Sequence, residues 1–464
     1  MQPPFPAATI VTKRRRETLP PKTKEALADH EQSASTTQTV CVVGLGYVGL
    51  PIAIVLASRG FRVTGVDVDP GVRDALAGGR TSSSEGGLQE LLRRAIEDGC
   101  FSAVAAPIAA DAYIIAVPTP LTDKGAHAAD LSFVQAAARA LVPVLTPGNL
   151  VVLESTVPPG ATERVLVPEL EGSGLKVGRD LLVAHVPERV LPGNMLEELT
   201  QNARVIGGVD RASAEAARQL YARFVTGELI LTDARTAEMV KLMENTYRDV
   251  NVALANEFAL LAEELGVDVW QAIAIANQHP RVNIHRPGPG VGGHCVPVDP
   301  WFLASASSYP APLIRAARAT NDAMPERITH LLRDLLSGVE APAVALLGLA
   351  YKGDTDDSRN SPALTIAQTL RSWGWDVRAY DPLVRRSSEV GALYDSALEA
   401  ATGADALVIM TDHREFLALD PSALRGAMRG GLVFDARGVL DEAAWRAAGF
   451  EVRRLGAPPT GTPE

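Results

Sequence analysis

Short apolar runs of strand length alternate with stretches of helical periodicity along the first half of the chain. Beginning at Thr39, the runs read VCVVGLG, RVTGVDVD, AYIIAVP, LVVLEST, LLVAHVP and LILT. A regular alternation of strands and helices is typical of a parallel sheet whose strands are joined by crossover helices. The pattern therefore predicts a doubly wound α/β domain at residues 38–230.

The pattern changes in the middle of the chain, where residues 231–337 show helical periodicity and no obvious strand. In the helix that starts near Thr236, one face is apolar and the opposite face carries a polar row. The apolar face comprises Met239, Met243, Val250, Ala253 and Leu254, and the polar row comprises Lys241, Asn245 and Arg248. A solvated face would account for Lys and Arg, but it gives no role to an asparagine in mid-helix. We interpret this helix as a connecting element that also lines a site.

Strand–helix alternation returns after Ala341, in an order that repeats the beginning of the chain. The elements read VALLGLAY, a helix from Ser361 to Trp373, DVRAYDP, ALVIMT and GLVFDARG. Residues 338–464 are thus predicted to form a second doubly wound domain. The predicted fold class is α/β, with two such domains joined by a central helical segment.

Composition narrows the possible partners and the compartment. The 464 residues include 44 Lys and Arg against 55 Asp and Glu, which gives a formal net charge of −11. This charge argues against nucleic acid or an acidic membrane as the partner, although a local cluster of cations could hold an anionic ligand. The three cysteines are too few and too scattered for a disulfide framework or a zinc site, so we expect a reducing, cytoplasmic location.

Two segments near the N-terminus raise the question of targeting. Residues 1–37 are rich in Pro, Thr, Lys and Arg and lack apolar periodicity, which predicts a disordered tail. The basic run Lys13–Arg16 lies too far upstream of the apolar stretch Val40–Ala57 to form a signal peptide with it. That stretch contains glycines and a proline, so it is better explained as a strand, a turn and a buried helix than as a membrane span.

The sequence GLGYVG follows the first strand and opens a helix. Gly44 permits the tight turn, Gly46 lets the backbone approach a diphosphate, and Gly49 lets helix and strand pack closely. The diphosphate would lie at the helix N-terminus, where free N–H groups favour anions. Asp67 ends the next strand, where it would accept hydrogen bonds from ribose hydroxyls and repel a 2′-phosphate. The motif therefore predicts NAD rather than NADP.

The second α/β domain lacks the third glycine of this motif, so we do not expect it to bind a dinucleotide in the same manner. Three cations are expected near the carboxyl edge of its sheet, where ligands bind in such folds, and they would suit a nucleoside diphosphate. They are Lys352, Arg359 and Arg437. The alternative is that they form surface ion pairs with Asp354, Asp356 and Asp357.

Residues 279–302, HPRVNIHRPGPGVGGHCVPVDPWF, contain the strongest indication of chemistry. The glycines and prolines exclude regular secondary structure there, and they suggest a loop whose backbone passes close to another group. Cys295 lies in this loop, beside an imidazole and four residues before Asp299, which suits a reactive thiolate. Cys41 instead lies in an apolar run. His294 has too few companions for a metal site, and none is predicted.

With these motifs, the chain resembles the UDP-glucose/GDP-mannose dehydrogenase family over about residues 38–455. The matching motifs are VGLGYVGLP, VPTP at 117–120, ESTVPPG at 154–160, HVPERVLPGN at 185–194, TAEMVKLMENTYRDVNVALANE at 236–257, GPGVGGHCVPVDP at 288–300 and GLAYKGDTDDSRNSPA at 348–363. The resemblance implies an NAD-binding domain, a central domain that carries the cysteine loop and builds a homodimer or higher oligomer, and a C-terminal UDP-sugar domain.

The resemblance also implies a mechanism in which one alcohol is oxidised twice. The sugar 6-hydroxyl gives a hydride to NAD⁺ with help from Lys241, and the Cys295 thiolate attacks the aldehyde. The thiohemiacetal gives a second hydride to a second NAD⁺, and the resulting thioester is hydrolysed by water. The implied catalytic residues are Cys295, Lys241, Asn245, Asp299, Glu188 and Thr156. The implied cofactor contacts are Gly44, Gly46, Tyr47, Val48, Gly49, Asp67, Thr119, Thr156 and Arg359. The implied substrate contacts are Arg189, Val190, Lys241, Asn245, Arg248, His279, Arg281, Gly292, Tyr351, Lys352 and Arg437.

Within the family, HPRVNI, RDVN and GHC…VDPWF most resemble the branch that oxidises UDP-N-acetylmannosamine. The UDP-glucose branch tends to have Ser before the cysteine and Lys before the aspartate, where this chain has His294 and Val298. UDP-N-acetylglucosamine and UDP-glucose are the alternative substrates. A relative of the 3-hydroxyacid dehydrogenases would need neither Cys295 nor a second α/β domain, and an NAD-sensing protein would share only the first domain. Surface polysaccharide synthesis would be a natural use of the uronic acid.

Overall fold

The computed structural model describes residues 38–81, 83, 85–122, 127–190 and 193–458. These residues form two compact units. One is built from the described residues of Met1–Thr119 and Asp130–Met239, and the other from those of Pro120–Ala129 and Val240–Glu464. The predicted tail at residues 1–37 lies outside the described residues. The domain boundaries proposed above stay predictions.

The first unit is an eight-stranded sheet with helices on both faces. Its strands are β1 (Thr39–Val43), β2 (Arg62–Val66), β3 (Phe101–Val104), β4 (Ala112–Ile115), β5 (Leu150–Leu153), β6 (Leu182–His185), β7 (Arg204–Gly208) and β8 (Leu229–Asp233). Its helices are α1 (Gly49–Ser58), α2 (Pro70–Ala77), α3 (Leu88–Glu97), α4 (Ser132–Leu141), α5 (Val167–Leu170), α6 (Met195–Gln201) and α7 (Arg211–Tyr221). The strand order is β3-β2-β1-β4-β5-β6-β7-β8.

Alternate residues of β1 enter separate hydrophobic cores on the two faces of this sheet. Val40 and Val42 belong to one core, and Cys41 and Val43 belong to the other. Both faces are therefore covered, which is why the strands read as continuous apolar runs. The predicted fold class is confirmed by this arrangement.

Two strands of the first sheet were not indicated by the sequence pattern, and one pairing differs from the prediction. The missed strands are β3 and β7, and β7 runs antiparallel to β6 while the other strand pairings among the described residues of the sheet are parallel. Two glycines end β7. A Cβ at Gly207 would lie 2.6 Å from Ala237 Cβ, and one at Gly208 would lie 2.2 Å from Asp210 O. These two positions lie so close to neighbouring backbone that only glycine fits. Because glycine has no side chain, the sequence shows no alternating pattern that would indicate a strand.

Helix α8 (Ala234–Leu265) begins in the first unit and continues into the second. The other helices before the second sheet are α9 (Val269–Ala276), α10 (Asp299–Ala306) and α11 (Pro312–Leu335). No described helix is long and apolar enough to cross a membrane.

The second sheet has five parallel strands in the order β10-β9-β11-β12-β13. They are β9 (Ala343–Leu347), β10 (Asp376–Tyr380), β11 (Ala406–Ile409), β12 (Leu432–Asp435) and β13 (Glu451–Arg454), and the last was not predicted. The helices are α12 (Pro362–Ser372), α13 (Ala397–Ala401), α14 (Pro421–Ala427) and α15 (Glu442–Ala447). Helix α12 starts where Ser361 accepts a hydrogen bond from Ala363 N and Pro362 occupies the first turn, as expected for a helix N-terminus.

A buried polar network joins α8 to α11. Arg318 Nη1 donates to Asp249 Oδ1 at 2.5 Å, and both side chains are almost fully buried. Asn321 Nδ2 donates to the same carboxylate at 2.8 Å and accepts from Asn256 at 2.9 Å. Asn256 Oδ1 in turn accepts from Gly288 N at 2.9 Å. The network therefore fixes the start of the glycine- and proline-rich loop to the helix pair.

Candidate active site

The glycine turn of the first unit has the geometry that its sequence predicts. Gly44 has a φ of +93°, and a Cβ there would lie 2.5 Å from Ala116 O. A Cβ at Gly49 would lie 1.9 Å from Gly44 O, whereas one at Gly46 would meet nothing within 4 Å. Gly44 and Gly49 are thus required by packing, and Gly46 leaves open space at the N-terminus of α1. No side chain caps that terminus, since Val48 at the cap position makes no side-chain hydrogen bond.

Asp67 lies directly after β2 and is joined to this turn. Its Oδ2 accepts from Leu45 N at 3.0 Å and its Oδ1 accepts from Asp69 N at 2.9 Å. The half-buried carboxylate is therefore held in one orientation beside the turn. Tyr47, also predicted to contact the cofactor, donates its hydroxyl to buried Glu85 at 3.3 Å.

The loops after β4 and β5, which carry Thr119 and Thr156, are bonded to each other. Thr119 Oγ1 donates to Thr156 O at 2.8 Å, and Ser155 Oγ donates to Val117 O at 2.7 Å. Glu238 at the start of α8 accepts from the backbone N–H groups of Gly160 and Thr162. These contacts hold the two threonine-bearing loops at the carboxyl edge of the first sheet.

The loop after β6 carries Glu188, Arg189 and Val190. Glu188 is nearly buried, and its Oε1 accepts from Val190 N at 2.5 Å. Arg189 Nη1 donates to Ala203 O at 2.8 Å. Its guanidinium, predicted to contact the substrate, is therefore hydrogen-bonded to the backbone of the protein in this structure. This loop is thereby fixed to the residues that precede β7.

In the second unit, Lys241 and Asn245 of the polar row of α8 are buried, Arg248 of that row is exposed, and the row joins the residue that starts α10. Lys241 is 6% exposed and Asn245 is 5% exposed. Asn245 Nδ2 donates to buried Asp299 at 2.6 Å, and Asn245 Oδ1 accepts from Arg248 Nη1 at 3.2 Å. Three of the predicted site residues thus form one hydrogen-bonded chain.

The methionine and leucine side chains on the apolar face of α8 are exposed, whereas Ala253 on the same face is buried. Met239 is 39% exposed, Met243 54% and Leu254 42% in this structure. Burial of Lys241 and Asn245 together with exposure of methionine and leucine side chains is the reverse of the usual pattern for a surface helix. That the polar row lines a site stays a prediction.

The cysteine loop lies against the segment that follows β9. Gly293 N donates to Arg359 O at 2.9 Å, and Asn360 Nδ2 donates to Gly293 O at 3.0 Å. A Cβ at Gly292 would lie 2.7 Å from Tyr351 Cβ, so the glycines permit this approach. Burial, then the charges of Asp357 and Cys295, raise the pKa of Tyr351 to about 12.

Two residues beside Cys295 were not among the predicted site residues. His294 Nδ1 lies 2.8 Å from Cys295 Sγ, and His294 Nε2 lies 4.0 Å from Asp357 Oδ2. Although burial raises the pKa of Asp357, its hydrogen bond and ion pair with Arg359 lower it overall. The pairing of His294 with its sequence neighbour could have been suspected from the sequence, but Asp357 comes from another segment of the chain.

Arg437 and Arg359, two of the three predicted cations of the C-terminal sheet, have carboxylate partners. Arg437 pairs with Asp412 at 3.0 Å, and a Cβ at Gly288 would lie 2.6 Å from Arg437 Nη1. Arg359 pairs with Asp357 at 2.6 Å. The ion-pair interpretation therefore holds for Arg359, and Lys352 lies half-buried on the same segment.

Two further predicted substrate residues, His279 and Arg281, are exposed after α9. His279 Nδ1 is 3.4 Å from Arg281 N, and neither side chain is shown in contact with Cys295 in the part of the chain that the structure describes. Their role as substrate contacts stays a prediction. No cluster of three potential metal ligands occurs among the described residues.

In the second sheet, the aspartate at the position equivalent to Asp67 forms its hydrogen bonds within its own unit. Asp381 follows β10 and accepts from Leu349 N at 2.7 Å, from Ala350 N at 3.0 Å and from His413 Nε2 at 3.1 Å. With its oxygens bonded to the turn and to His413, this carboxylate is occupied within its own unit. That this sheet does not bind a dinucleotide in the manner of the first stays a prediction.

An open glycine turn at a helix N-terminus, with an oriented acid after the next strand, is the arrangement that holds NAD in doubly wound folds. The residues present fit that cofactor, and they define an NAD-dependent oxidoreductase. Comparison with known proteins narrows the class. The NAD binding, central and UDP binding domains of the UDP-glucose/GDP-mannose dehydrogenase family match residues 38–225, 235–323 and 345–442. The chain belongs to this family.

Several relatives are similar over nearly their whole length. The UDP-N-acetyl-D-mannosamine dehydrogenase of Methanocaldococcus jannaschii is 44% identical over 423 residues, which cover 90% of this chain and 96% of the relative. The NDP-N-acetyl-D-galactosaminuronic acid dehydrogenase of Ralstonia nicotianae is 45% identical, with 87% and 96% covered. The solved UDP-D-ManNAc dehydrogenase of Pyrococcus horikoshii has a TM-score of 0.84 at 44% identity, with 90% and 99% covered. This chain is accordingly an NAD-dependent UDP-sugar dehydrogenase.

Proposed function

We propose that the protein oxidises the C6 hydroxyl of UDP-N-acetylmannosamine to a carboxylate, giving UDP-N-acetylmannosaminuronate. The observation that carries this proposal is the position of Cys295 on a loop whose next helix begins with Asp299, bonded to Asn245 at 2.6 Å. A thiol, a buried carboxylate and a fixed amide are what the conversion of an aldehyde to an acid requires.

The described residues divide the work as follows. NAD⁺, when bound, would supply the hydride acceptor, with one NAD⁺ needed for the alcohol and a second for the thiohemiacetal. Lys241 stabilises negative charge on the sugar oxygen, and the Cys295 thiolate forms a bond to the aldehyde carbon. Asn245 donates a hydrogen bond to the developing oxyanion, because an amide on a rigid helix is already oriented.

The last step is hydrolysis of the thioester. We assign Asp299 to the activation of the water, because a buried carboxylate held by Asn245 can accept a proton without having to be reoriented. Thr156 and Glu188 keep their predicted part in the same step. The remaining substrate and cofactor contacts named from the sequence are proposed without change.

The choice of sugar rests on the branch motifs and on the names of the relatives. Several relatives that are 42–44% identical are UDP-N-acetyl-D-mannosamine dehydrogenases. An acetamido group at C2 needs polar partners, and the two C2 epimers point it in opposite directions. Partners left unpaired by the wrong epimer cost about 1–3 kcal/mol for each buried group. The alternatives are UDP-N-acetylglucosamine, UDP-glucose, or the substrate of the Ralstonia relatives.

We also propose that the protein works as a homodimer or larger homo-oligomer through the exposed apolar face of α8. Tyr247 is 60% exposed, Leu261 47% and Leu265 73%, and these side chains continue the face formed by Met243 and Leu254. A long unpartnered apolar stripe on one helix suits a second copy of itself in a two-fold interface. A cytoplasmic location and a use in surface polysaccharide synthesis stay predictions.

The proposed function is tested by counting NADH released per sugar consumed, with each UDP-sugar at equal concentration. We expect two NADH per UDP-N-acetylmannosamine, with kcat/KM roughly tenfold to a hundredfold above that for UDP-N-acetylglucosamine, and UDP-glucose poorest. One NADH per sugar would contradict the oxidation to an acid. Faster turnover of UDP-N-acetylglucosamine would contradict the choice of epimer alone.

A further inference from the structure

Cys295 lies at one end of a row of three side chains drawn from two segments of the second unit. His294 Nδ1 is 2.8 Å from Cys295 Sγ, which is within contact distance for a proton shared between sulfur and nitrogen. The other ring nitrogen, Nε2, faces Asp357 Oδ2 at 4.0 Å, which is an ion-pair distance when the ring is protonated. The order thiol, imidazole, carboxylate is the one by which enzymes activate a cysteine nucleophile.

The backbone holds the three side chains in this order. Gly293 N and Gly293 O are both hydrogen-bonded to the segment that carries Asp357, through Arg359 O and the Asn360 amide. Val298 N and Asp299 N both donate to Cys295 O, which closes a turn directly after the cysteine. The residues on both sides of His294 are thus fixed, so the ring has little freedom to leave the thiol.

The charges around the row favour an ion pair between the thiol and the imidazole. Asp357 is kept ionised, because the hydrogen bond and ion pair with Arg359 outweigh the effect of its burial on its pKa. His294 on its own loop contacts the thiol, Tyr351 and Arg359 on the segment after β9 interact with it electrostatically, and Asp357 on that segment faces His294. Arg248 on α8 acts on Tyr351 and so contributes positive charge to the same surroundings.

We propose that His294 is a further catalytic residue that holds Cys295 as a thiolate by accepting its proton, and that Asp357 is the positioning residue that orients His294. This inference rests on the proposed function, since it describes how the nucleophile of that reaction is activated. In the covalent step the proton leaves Sγ for Nδ1, and a sulfur lone pair forms the C–S bond to the aldehyde carbon. The carbonyl π pair moves to oxygen, which takes the proton back from Nδ1 and leaves a neutral thiohemiacetal.

The test is the pH dependence of Cys295 alkylation by iodoacetate, read peptide by peptide by mass spectrometry in the full-length protein without substrate. An anionic reagent reacts best when thiolate and imidazolium coexist, so we expect a bell-shaped profile with two limbs. The lower limb should lie below the value of about 8.5 that is usual for a free thiol. A single limb near that value in the wild type would overturn the proposal without any variant.

Two variants then show which side chain is responsible for each limb of the pH profile. His294→Asn should abolish the upper limb and move the lower one towards the free-thiol value, with a loss on the order of tenfold in alkylation rate at pH 6.5. Asp357→Asn should lower the upper limb only, because it removes the charge that stabilises the imidazolium. An unchanged profile in His294→Asn, or an unchanged upper limb in Asp357→Asn, would contradict the assigned roles.

Controls come from the same chain. The half-buried Cys100 is an internal reference whose profile should be the same in every variant. Asp354→Asn is the matched carboxylate-to-amide change on the same segment, and it should leave the Cys295 profile unchanged because Asp354 pairs with Arg414. The count of NADH per sugar is measured separately. Two NADH with a single-limbed profile would refute the role of His294 alone, and a bell-shaped profile without acid formation would refute the proposed function alone.

Discussion

Asn245 Nδ2 and Asp299 Oδ2 are 2.6 Å apart, so the amide of a long helix and the carboxylate that follows the cysteine loop act as one hydrogen-bonded unit. The carboxylate is 3% exposed and the amide 5% exposed. A buried carboxylate held by an amide donor keeps its orientation, and the amide keeps a second N–H for another acceptor. This pair is therefore the part of the described site best suited to handle a water molecule and an oxyanion.

Asp299→Asn should stop the reaction after both hydride transfers. The amide can still bond Asn245, but it cannot take a proton from water. We expect a burst of two NADH per active site, followed by steady-state turnover lowered by roughly 10²–10⁴-fold. Rapid-mixing absorbance at the NADH band measures the burst, and intact-protein mass spectrometry detects the trapped thioester. The control is Asp334→Asn, an exposed carboxylate on α11. Wild-type steady-state turnover by Asp299→Asn would assign the water to another residue.

Cys295→Ser should bind the UDP-sugar but fail to produce acid. A serine hydroxyl is a poor nucleophile at neutral pH unless a strong base is adjacent. Calorimetric titration measures the binding, and chromatography of the product measures the acid. Cys100→Ser serves as the matched control and should behave as wild type. Acid production by Cys295→Ser at the wild-type rate would rule out the covalent mechanism.

Asp67 should set the choice between NAD and NADP. Its carboxylate is oriented by Leu45 N and Asp69 N, and it would bond ribose hydroxyls and repel a 2′-phosphate. We expect Asp67→Ser to lower kcat/KM for NAD by roughly tenfold to a hundredfold, which corresponds to hydrogen bonds to a charged group worth about 1.5–3 kcal/mol. Steady-state kinetics with both cofactors measures this, with exposed Asp74→Ser as the control. Equal use of NAD and NADP by the wild type would show that Asp67 does not face the ribose.

Asp381 should stabilise the second sheet at neutral pH and lose that effect in acid. Although burial opposes ionisation, hydrogen bonds from His413 and from backbone N–H groups, together with the charge of His413, lower the pKa of Asp381 to about 2. Because the folded-state pKa lies below the unfolded value of about 4, the stabilisation is present above pH 4 and disappears as the pH falls through 2. The shift corresponds to about 2 kcal/mol.

Urea unfolding followed by tryptophan fluorescence can measure this contribution. The loss of stability in Asp381→Asn relative to wild type should be largest near pH 7 and shrink between pH 4 and pH 2. Asp376→Asn, at the exposed start of the same strand, provides the control. A difference that does not depend on pH over this range would mean that ionisation of Asp381 contributes nothing.

The exposed apolar face of α8 should hold two copies of the chain together. Tyr247→Glu combined with Leu254→Glu places two charges on that face, and we expect the variant to sediment as a monomer where the wild type sediments as a dimer or larger. Leu417→Glu changes a side chain that is 64% exposed outside this face, and it should leave the sedimentation unchanged. A monomeric wild type at micromolar concentration would contradict the proposed oligomer.

Much of the first unit and of the cysteine loop follows from the sequence alone. The glycine turn, Asp67 and the strand–helix alternation are local patterns, because successive side chains of a strand or helix report their own period. The prolines and glycines around Cys295 likewise show that this cysteine lies in an irregular loop. These local features were sufficient to predict the fold class and the cofactor.

Other features were decided only by the tertiary structure, because they depend on where distant segments meet. The antiparallel course of β7 is hidden by Gly207 and Gly208, whose missing side chains are a consequence of close packing and leave no periodic pattern. Asp357 reaches His294 because the segment after β9 bonds the backbone of the cysteine loop. The amphipathic pattern of α8 is equally visible in the sequence, but only the tertiary structure shows that Lys241 and Asn245 of its polar row are buried, with Asn245 bonded to Asp299. Periodicity shows that a helix has two faces, and burial against the rest of the chain decides which face points inward.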